Sequence, residues 1–132
     1  MSDPAKLLVD TDVMVGYLRG KGEAVTFLES LEGRPATSVI CVAELIAGVR
    51  SKAEREAIER FLLAFELLAV DEGIARLGGE YRQRYRGTHG TGLADALVAA
   101  TAASHSLVLA TCNAKHYPML ADVLVPYQQG SL

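Results

Sequence analysis

The stretch Leu7-Leu8-Val9-Asp10-Thr11-Asp12-Val13 sets a short apolar run directly before two acids, and a helical pattern follows over residues 13–18. Short apolar runs alternate with longer helical patterns along the rest of the chain, which predicts an α/β fold around a parallel sheet. Ligands of such sheets bind beyond the carboxyl ends of the strands. The two acids are therefore expected at a functional edge.

The alternation predicts one domain over residues 1–132, without internal repeats. Strands are predicted at residues 7–9, 37–40, 67–70, 106–110 and 123–125. Helices are predicted at residues 13–18, 23–31, 42–50, 54–66, 72–85, 93–104 and 115–121. The glycine-rich stretch 87–92 is predicted to be a loop, and it lacks the Lys-Ser/Thr ending of a phosphate-binding loop.

Composition narrows the class of protein. Hydrophobic residues make up 50% and charged residues 22% of the chain, a globular balance that excludes intrinsic disorder. No apolar stretch is long enough to span a bilayer, and the first residues show no export signal, so a cytoplasmic protein without membrane contact is expected. Cys41 and Cys112 lie far apart and match no zinc spacing, which favours reduced thiols.

Asp10 and Asp12 follow the first predicted strand and invite different interpretations. Asp12 has an ordinary structural explanation as the cap of the helix predicted to begin at Val13. Asp10 lacks that explanation, and an acid at the end of a buried strand needs a cation, a metal ion or several hydrogen-bond donors. Asp10 is therefore a candidate metal ligand.

Glu44 is placed by helical periodicity. The apolar residues at positions 42, 45, 46 and 49 form one stripe, and Glu44 projects from nearly the opposite side. That position is usually solvated surface. Its helical neighbours at positions 40, 41, 47 and 48 are all uncharged, however, which also fits the wall of a cleft.

Asp95 is the only charge in an otherwise apolar helical segment, residues 93–103. A structural alternative is an acid in the first helical turn, which the positive end of the helix dipole favours. Three carboxylates gathered at one edge of a sheet would repel each other unless a hard divalent cation neutralised them. Asp10, Glu44 and Asp95 together thus predict a Mg²⁺ or Mn²⁺ site, and the absence of a His or Cys pair disfavours zinc.

Four stretches resemble the PIN domain, in the order and spacing of VapC-type toxins, and together they span most of the chain. They are Leu8-Val9-Asp10-Thr11-Asp12-Val13, Ser38-Val39-Ile40-Cys41-Val42-Ala43-Glu44-Leu45, Leu93-Ala94-Asp95-Ala96-Leu97-Val98-Ala99-Ala100-Thr101-Ala102 and Leu109-Ala110-Thr111-Cys112-Asn113-Ala114-Lys115-His116-Tyr117. The resemblance implies a three-layer α/β/α sandwich, a homodimer, an antitoxin that blocks the site, and an endoribonuclease.

The resemblance also implies roles for individual residues. Asp10, Glu44 and Asp95 would be the metal-binding acids, and Asp12, Thr111 and Asn113 would support them. The chain departs from the family at two positions. His116 stands where many members carry a fourth acid, and Cys41 where they carry a threonine, so the number of ions is left open. His116 would orient a water, touch phosphate, or cap a short helix.

The expected reaction is hydrolysis of an RNA phosphodiester by a water that the cation activates. Because the net charge is -3, contact with RNA must be local. The cations Arg82, Arg84 and Arg86, together with Lys115, are candidates for that contact. The arginines have an equally acceptable explanation as a solvated helix end that suits the negative C-terminal dipole.

Two other functions remain open on the sequence. One is an aspartyl-phosphate phosphatase, because Asp10-Thr11-Asp12 after a strand also begins haloacid-dehalogenase-like proteins, although Met14 stands where those usually have threonine. The other is an inactive module that binds an antitoxin or RNA. The apolar stripe of the 54–66 helix is either core or a surface for a partner, and it comprises Ala57, Ile58, Phe61, Leu62 and Phe65.

Overall fold

In a computed structural model, the chain forms a five-stranded parallel sheet with helices packed against it, described for residues 6–87 and 89–129. The predicted lack of an export signal concerns residues 1–5, which lie outside this range, as does Thr88 of the glycine-rich loop. The strands are β1 (Leu7–Val9), β2 (Ala36–Ser38), β3 (Glu66–Leu68), β4 (Val108–Ala110) and β5 (Val123–Leu124). The helices are α1 (Thr11–Leu18), α2 (Gly22–Glu29), α3 (Val39–Ala47), α4 (Lys52–Leu62), α5 (Glu72–Tyr85) and α6 (Leu93–Ser104), with a 3₁₀ turn at Ala114–His116.

The sheet has the order β3-β2-β1-β4-β5, and every neighbouring pair is parallel. From β1 the chain adds β2 and then β3 on one side, and it then crosses back to add β4 and β5 on the other side of β1. Because crossovers between parallel strands are right-handed, this reversal places the helices that precede β3 and those that follow it on opposite faces of the sheet. The predicted α/β/α class is confirmed. The direction changes between β1 and β4, and the edge beyond these two strands is where such sheets form their sites.

The core surrounds the two central strands. Leu8 and Val9 of β1 and Leu109 of β4 are fully buried. The middle of helix α6, from Ala96 to Ala102, is buried except for the half-buried Leu97, which packs closely on Gly78 of α5. The apolar stripe of α4 is mainly core, because Ile58 and Leu62 are buried.

Helices α5 and α6 have the predicted bounds, but several other boundaries were wrong. The second strand ends at Ser38 instead of residue 40, because the Ser38 hydroxyl accepts a hydrogen bond from the backbone N–H of Ile40 at 3.0 Å and begins α3 there. Helix α4 begins at Lys52, two residues earlier than predicted, because the hydroxyl of Ser51 caps it. The helix predicted at residues 115–121 is only a 3₁₀ turn, since Pro118 disfavours helical backbone in the residue before it.

Within the described ranges, no helix combines the length and the apolar character needed to cross a bilayer.

Candidate active site

Asp10 lies at the junction of β1 and α1, at the carboxyl edge of the sheet, and only 6% of it is exposed. Its Oδ1 accepts a hydrogen bond from the backbone N–H of Thr11 at 2.8 Å, so Asp10 is the N-cap of α1. The prediction that Asp12 caps this helix was wrong, because α1 begins at Thr11 and Asp12 lies in its first turn. Asp10 thus has a structural role in addition to any functional one.

The other oxygen of Asp10 accepts two side-chain hydrogen bonds, from Thr111 Oγ1 at 2.9 Å and from the Tyr117 hydroxyl at 2.8 Å. Burial, and then the negative charge of Asp12, raise the pKa of Asp10 to about 6. The hydrogen bonds oppose this shift but do not cancel it. The ionised form of Asp10 is therefore unfavourable in this environment, and a bound cation would stabilise it.

Asp12 is held by the loop that follows β4. Its Oδ2 accepts from the backbone N–H of Cys112 at 2.9 Å and from Asn113 Nδ2 at 3.2 Å, and Thr111 Oγ1 lies at 3.3 Å. Burial still raises its pKa above the ordinary value. The structure thus brings Asp12, Thr111 and Asn113 together beside Asp10, and their supporting role stays a prediction.

Asp95 enters the site from the first turn of α6. Its Oδ2 accepts from the backbone N–H of Gly92 at 3.4 Å, so the structural explanation of a first-turn acid is also satisfied. Its Oδ1 accepts from the Tyr117 hydroxyl at 3.2 Å, and His116 Nδ1 lies 3.4 Å from Oδ2. Asp95 and Asp10 therefore share one hydroxyl donor.

Glu44 projects from α3 toward the same edge. Its Oε1 accepts a hydrogen bond from Thr11 Oγ1 at 2.7 Å. Glu44 is exposed, and it also lines a cleft of about 360 Å³ between α1, α3 and α4, so the solvated-surface and the cleft-wall interpretations both agree with its position. One ligand atom each from Asp10, Cys41 and Glu44 lie within 4.8 Å of one another, and Asp95 is outside this group.

The donor chemistry fits a hard divalent cation. The carboxylates of Asp10, Glu44 and Asp95 offer the oxygen ligands that Mg²⁺ and Mn²⁺ prefer. Burial raises the pKa of the Cys41 thiol to about 12, so this side chain stays protonated and is a poor ligand for such an ion. Among residues 6–87 and 89–129, no lysine or arginine forms an ion pair with Asp10, Asp12 or Glu44.

The predicted RNA-binding cations differ in their surroundings. Arg84 lies exposed in the last turn of α5 and Arg86 follows that helix as its exposed C-cap, while Lys115 lies exposed in the 3₁₀ turn next to His116. Arg82 is half-buried, and its Nη1 is buried with no hydrogen-bond partner in the described part of the chain. The interpretation of the arginines as a helix end that suits the dipole also agrees with these positions.

Two residues of the site were missed by the sequence analysis: Thr11, which contacts Glu44, and Tyr117, which contacts Asp10 and Asp95. Tyr117 lies within one of the quoted motifs, directly after His116, but received no role. The available signal was the hydroxyl of a tyrosine, which needs a hydrogen-bond partner when the residue is buried.

The PIN domain model matches residues 7–119 of the chain. The chain belongs to the PIN-domain family. It is 43% identical over 124 residues to ribonuclease VapC10 of Mycobacterium tuberculosis, with 92% of each chain covered. Ribonuclease VapC19 of the same organism is 40% identical over 124 residues, covering 91% of this chain and 98% of that protein.

The chain is also similar in fold to a solved toxin-antitoxin complex from Klebsiella pneumoniae. That structure gives a TM-score of 0.81 at 28% identity, covering 94% of this chain and 99% of that one. The matched residues 7–119 include the four acids, His116 and Tyr117, whereas β5 lies beyond them. Membership of the PIN-domain family favours the predicted nuclease over the phosphatase alternative.

Proposed function

We propose that this PIN domain is a metal-dependent endoribonuclease, the toxin of a toxin–antitoxin pair. The observation that carries the proposal is the group of acids at the carboxyl edge of β1 and β4, which includes the buried Asp10. Among the described residues, no lysine or arginine forms an ion pair with Asp10, Asp12 or Glu44. Neighbouring carboxylates repel each other, and a bound divalent cation would offset that repulsion.

Asp10 and Asp95 would hold the ion, and Glu44 would complete the ligand set directly or through water. When bound, Mg²⁺ or Mn²⁺ supplies the acidity that activates a water molecule and the charge that offsets the phosphoryl oxygens. Asp12 would support Asp10 by anchoring α1 to the loop after β4, through the backbone of Cys112 and the side chain of Asn113.

The substrate class follows from the family relatives and from the local charge. Two relatives are named ribonucleases, which supports RNA as the substrate here. Because the whole chain carries a net charge of -3, the approach of RNA would depend on local cations. Arg84, Arg86 and Lys115 are exposed and suit this role, while the half-buried Arg82 would contribute less.

A cognate antitoxin is the proposed regulatory partner, supported by the likeness to a structure of a toxin-antitoxin complex. By occluding the acidic site, such a partner would keep the ribonuclease inactive in the cytoplasm. We also propose a homodimer as the assembled form of the free toxin.

The experiment is cleavage of RNA by the purified chain and by two variants, Asp10→Asn and Asp95→Asn. Each substitution keeps the size of the side chain and one of its two acceptor oxygens but removes the charge that would hold the ion. We expect cleavage by the wild type to require Mg²⁺ or Mn²⁺, to stop in EDTA, and to be lost in both variants. Asp122→Asn, an exposed acid after the 3₁₀ turn, is the matched control and should cleave normally.

Normal cleavage by Asp10→Asn or Asp95→Asn would overturn the assignment of these residues. If the folded wild type fails to cleave RNA at every Mg²⁺ and Mn²⁺ concentration and still binds its antitoxin, the inactive binding module would be the correct interpretation.

A further inference from the structure

Tyr117 is a buried tyrosine whose hydroxyl lies between two acids of the site. Only 2% of the residue is exposed. Its hydroxyl is 2.8 Å from Asp10 Oδ2 and 3.2 Å from Asp95 Oδ1. These two acids come from different elements, the end of β1 and the start of α6, and Tyr117 comes from the loop after the 3₁₀ turn. The hydroxyl therefore connects three separate parts of the chain.

The position of this hydroxyl is set by the surrounding structure. The ring of Tyr117 belongs to the hydrophobic core cluster, and its backbone N–H donates to the carbonyl of Ala114 at 3.0 Å. Its carbonyl in turn accepts from the backbone N–H of Leu120 at 3.1 Å. With the ring packed and the backbone bonded on both sides, the hydroxyl oxygen has little freedom to leave the two acids.

Filling the core does not require the hydroxyl, because a phenylalanine would occupy almost the same volume. A buried hydroxyl does need a hydrogen-bond partner, and here both partners are carboxylates proposed to hold the ion. The single proton can satisfy one carboxylate fully or be shared between both. When the proton is shared, it partly offsets the repulsion of the two carboxylates and limits how far they can separate.

We infer that Tyr117 is a positioning residue, whose hydroxyl links Asp10 to Asp95 and so fixes the two carboxylates relative to each other at the proposed cation site. This inference rests on the proposed metal-dependent function. Together with Thr111, which donates to the same oxygen, Tyr117 occupies Asp10 Oδ2. The other oxygen, Oδ1, lies 4.0 Å from Cys41 Sγ on the Glu44 side of the site.

The test is titration of the 132-residue chain with Mn²⁺ by calorimetry, for wild type, Tyr117→Phe and Tyr17→Phe. The control removes the hydroxyl that donates to Glu29 at 3.2 Å on the exposed surface, away from the acids. Groups that orient metal ligands change metal affinity by about 10- to 100-fold when they are removed. We expect Kd for Mn²⁺ to rise by about that factor in Tyr117→Phe and to stay unchanged in Tyr17→Phe.

A second measurement separates positioning from simple stabilisation. If Tyr117 only stabilised the fold, Tyr117→Phe would lower the unfolding temperature in EDTA but leave Kd for Mn²⁺ at the wild-type value, and that result would overturn the inference. Failure of the wild type to bind Mn²⁺ would instead overturn the proposed metal site, and the role of Tyr117 with it. We further expect saturating Mn²⁺ to recover most of the cleavage rate of Tyr117→Phe.

Discussion

At the scale of single residues, Asp10 combines a structural and a proposed functional role at some cost in stability. It caps α1, but it is buried beside Asp12, so its ionised form is unfavourable without a cation. Natural proteins commonly give up stability in this way at sites that must bind a charged ligand. Removing the charge should therefore harm function and help the metal-free fold.

The pH dependence of stability tests this directly. The pKa of Asp10 is about 6 in the folded chain, compared with an ordinary value of 3.8. Between these values the folded state holds a proton that the unfolded state has lost, so the contribution of Asp10 is fully present below pH 3.8 and disappears as pH rises through about 6. In EDTA we expect this difference to reach at most about 3 kcal/mol.

The measurement is urea unfolding at a series of pH values between about 3.5 and 7.5, in EDTA, for wild type and Asp10→Asn. The free energy of unfolding of the wild type should fall relative to that of Asp10→Asn as pH rises, and added Mn²⁺ should restore it. Parallel profiles for the two proteins would show that Asp10 is not the titrating group. Asp122→Asn should follow the wild type.

At the scale of elements, the close approach of α5 and α6 positions Asp95, because α6 carries that residue in its first turn. A Cβ at Gly78 would lie 2.6 Å from Leu97 Cδ2 and 3.2 Å from Leu97 Cα. The absence of a side chain at residue 78 therefore allows the two helices to pack together. The next residue, Gly79, has nothing within 4 Å of an added Cβ and is exposed.

These neighbouring glycines offer a matched pair of substitutions. We expect Gly78→Ala to lower the free energy of unfolding by about 1–3 kcal/mol, because the new methyl group overpacks the contact with Leu97. Gly79→Ala should raise it by about 0.5–1 kcal/mol, because alanine is the better helix former. Chemical denaturation of both variants checks the pair, and equal effects of the two substitutions would contradict the packing explanation.

Elements also differ in how well the sequence predicted them. Helix α5 has the predicted bounds, and its start coincides with a local cap, the Asp71 side chain, which accepts from the backbone N–H of Ile74 at 2.8 Å. The β2–α3 boundary was misplaced because Val39 and Ile40 favour strands by composition, whereas the cap at Ser38 begins a helix there. The strand propensity of these two residues and the helix cap at Ser38 favour different structures, and the cap sets the start of α3.

At the scale of the whole molecule, a net charge of -3 has to be reconciled with a polyanionic substrate. Long-range attraction cannot draw RNA to this chain, so binding would depend on a few exposed cations. Arg84 and Arg86, at the end of α5, are two such exposed cations.

The double variant Arg84→Gln/Arg86→Gln should weaken RNA binding and reduce its salt dependence, by about one unit of log–log slope for each phosphate that the variant no longer neutralises. Kd for Mn²⁺ should not change, because neither arginine pairs with the acids in the described residues. The measurement is RNA binding in the Asp95→Asn background at several salt concentrations. Arg76→Gln, on the same helix and paired with Glu72, is the control. An unchanged slope in the double variant would favour the helix-dipole interpretation of this cluster.

The succession of strands and helices along the chain, the class of the fold and the candidate acids could be predicted from the sequence. Apolar periodicity and the position of an acid after a strand are local patterns. Only the tertiary structure decided which atoms meet. Tyr117 reaches Asp10 across 107 positions of the chain because β1 and β4 pair at the centre of the sheet. Contacts of that kind depend on strand order and helix packing, which no short window of sequence contains.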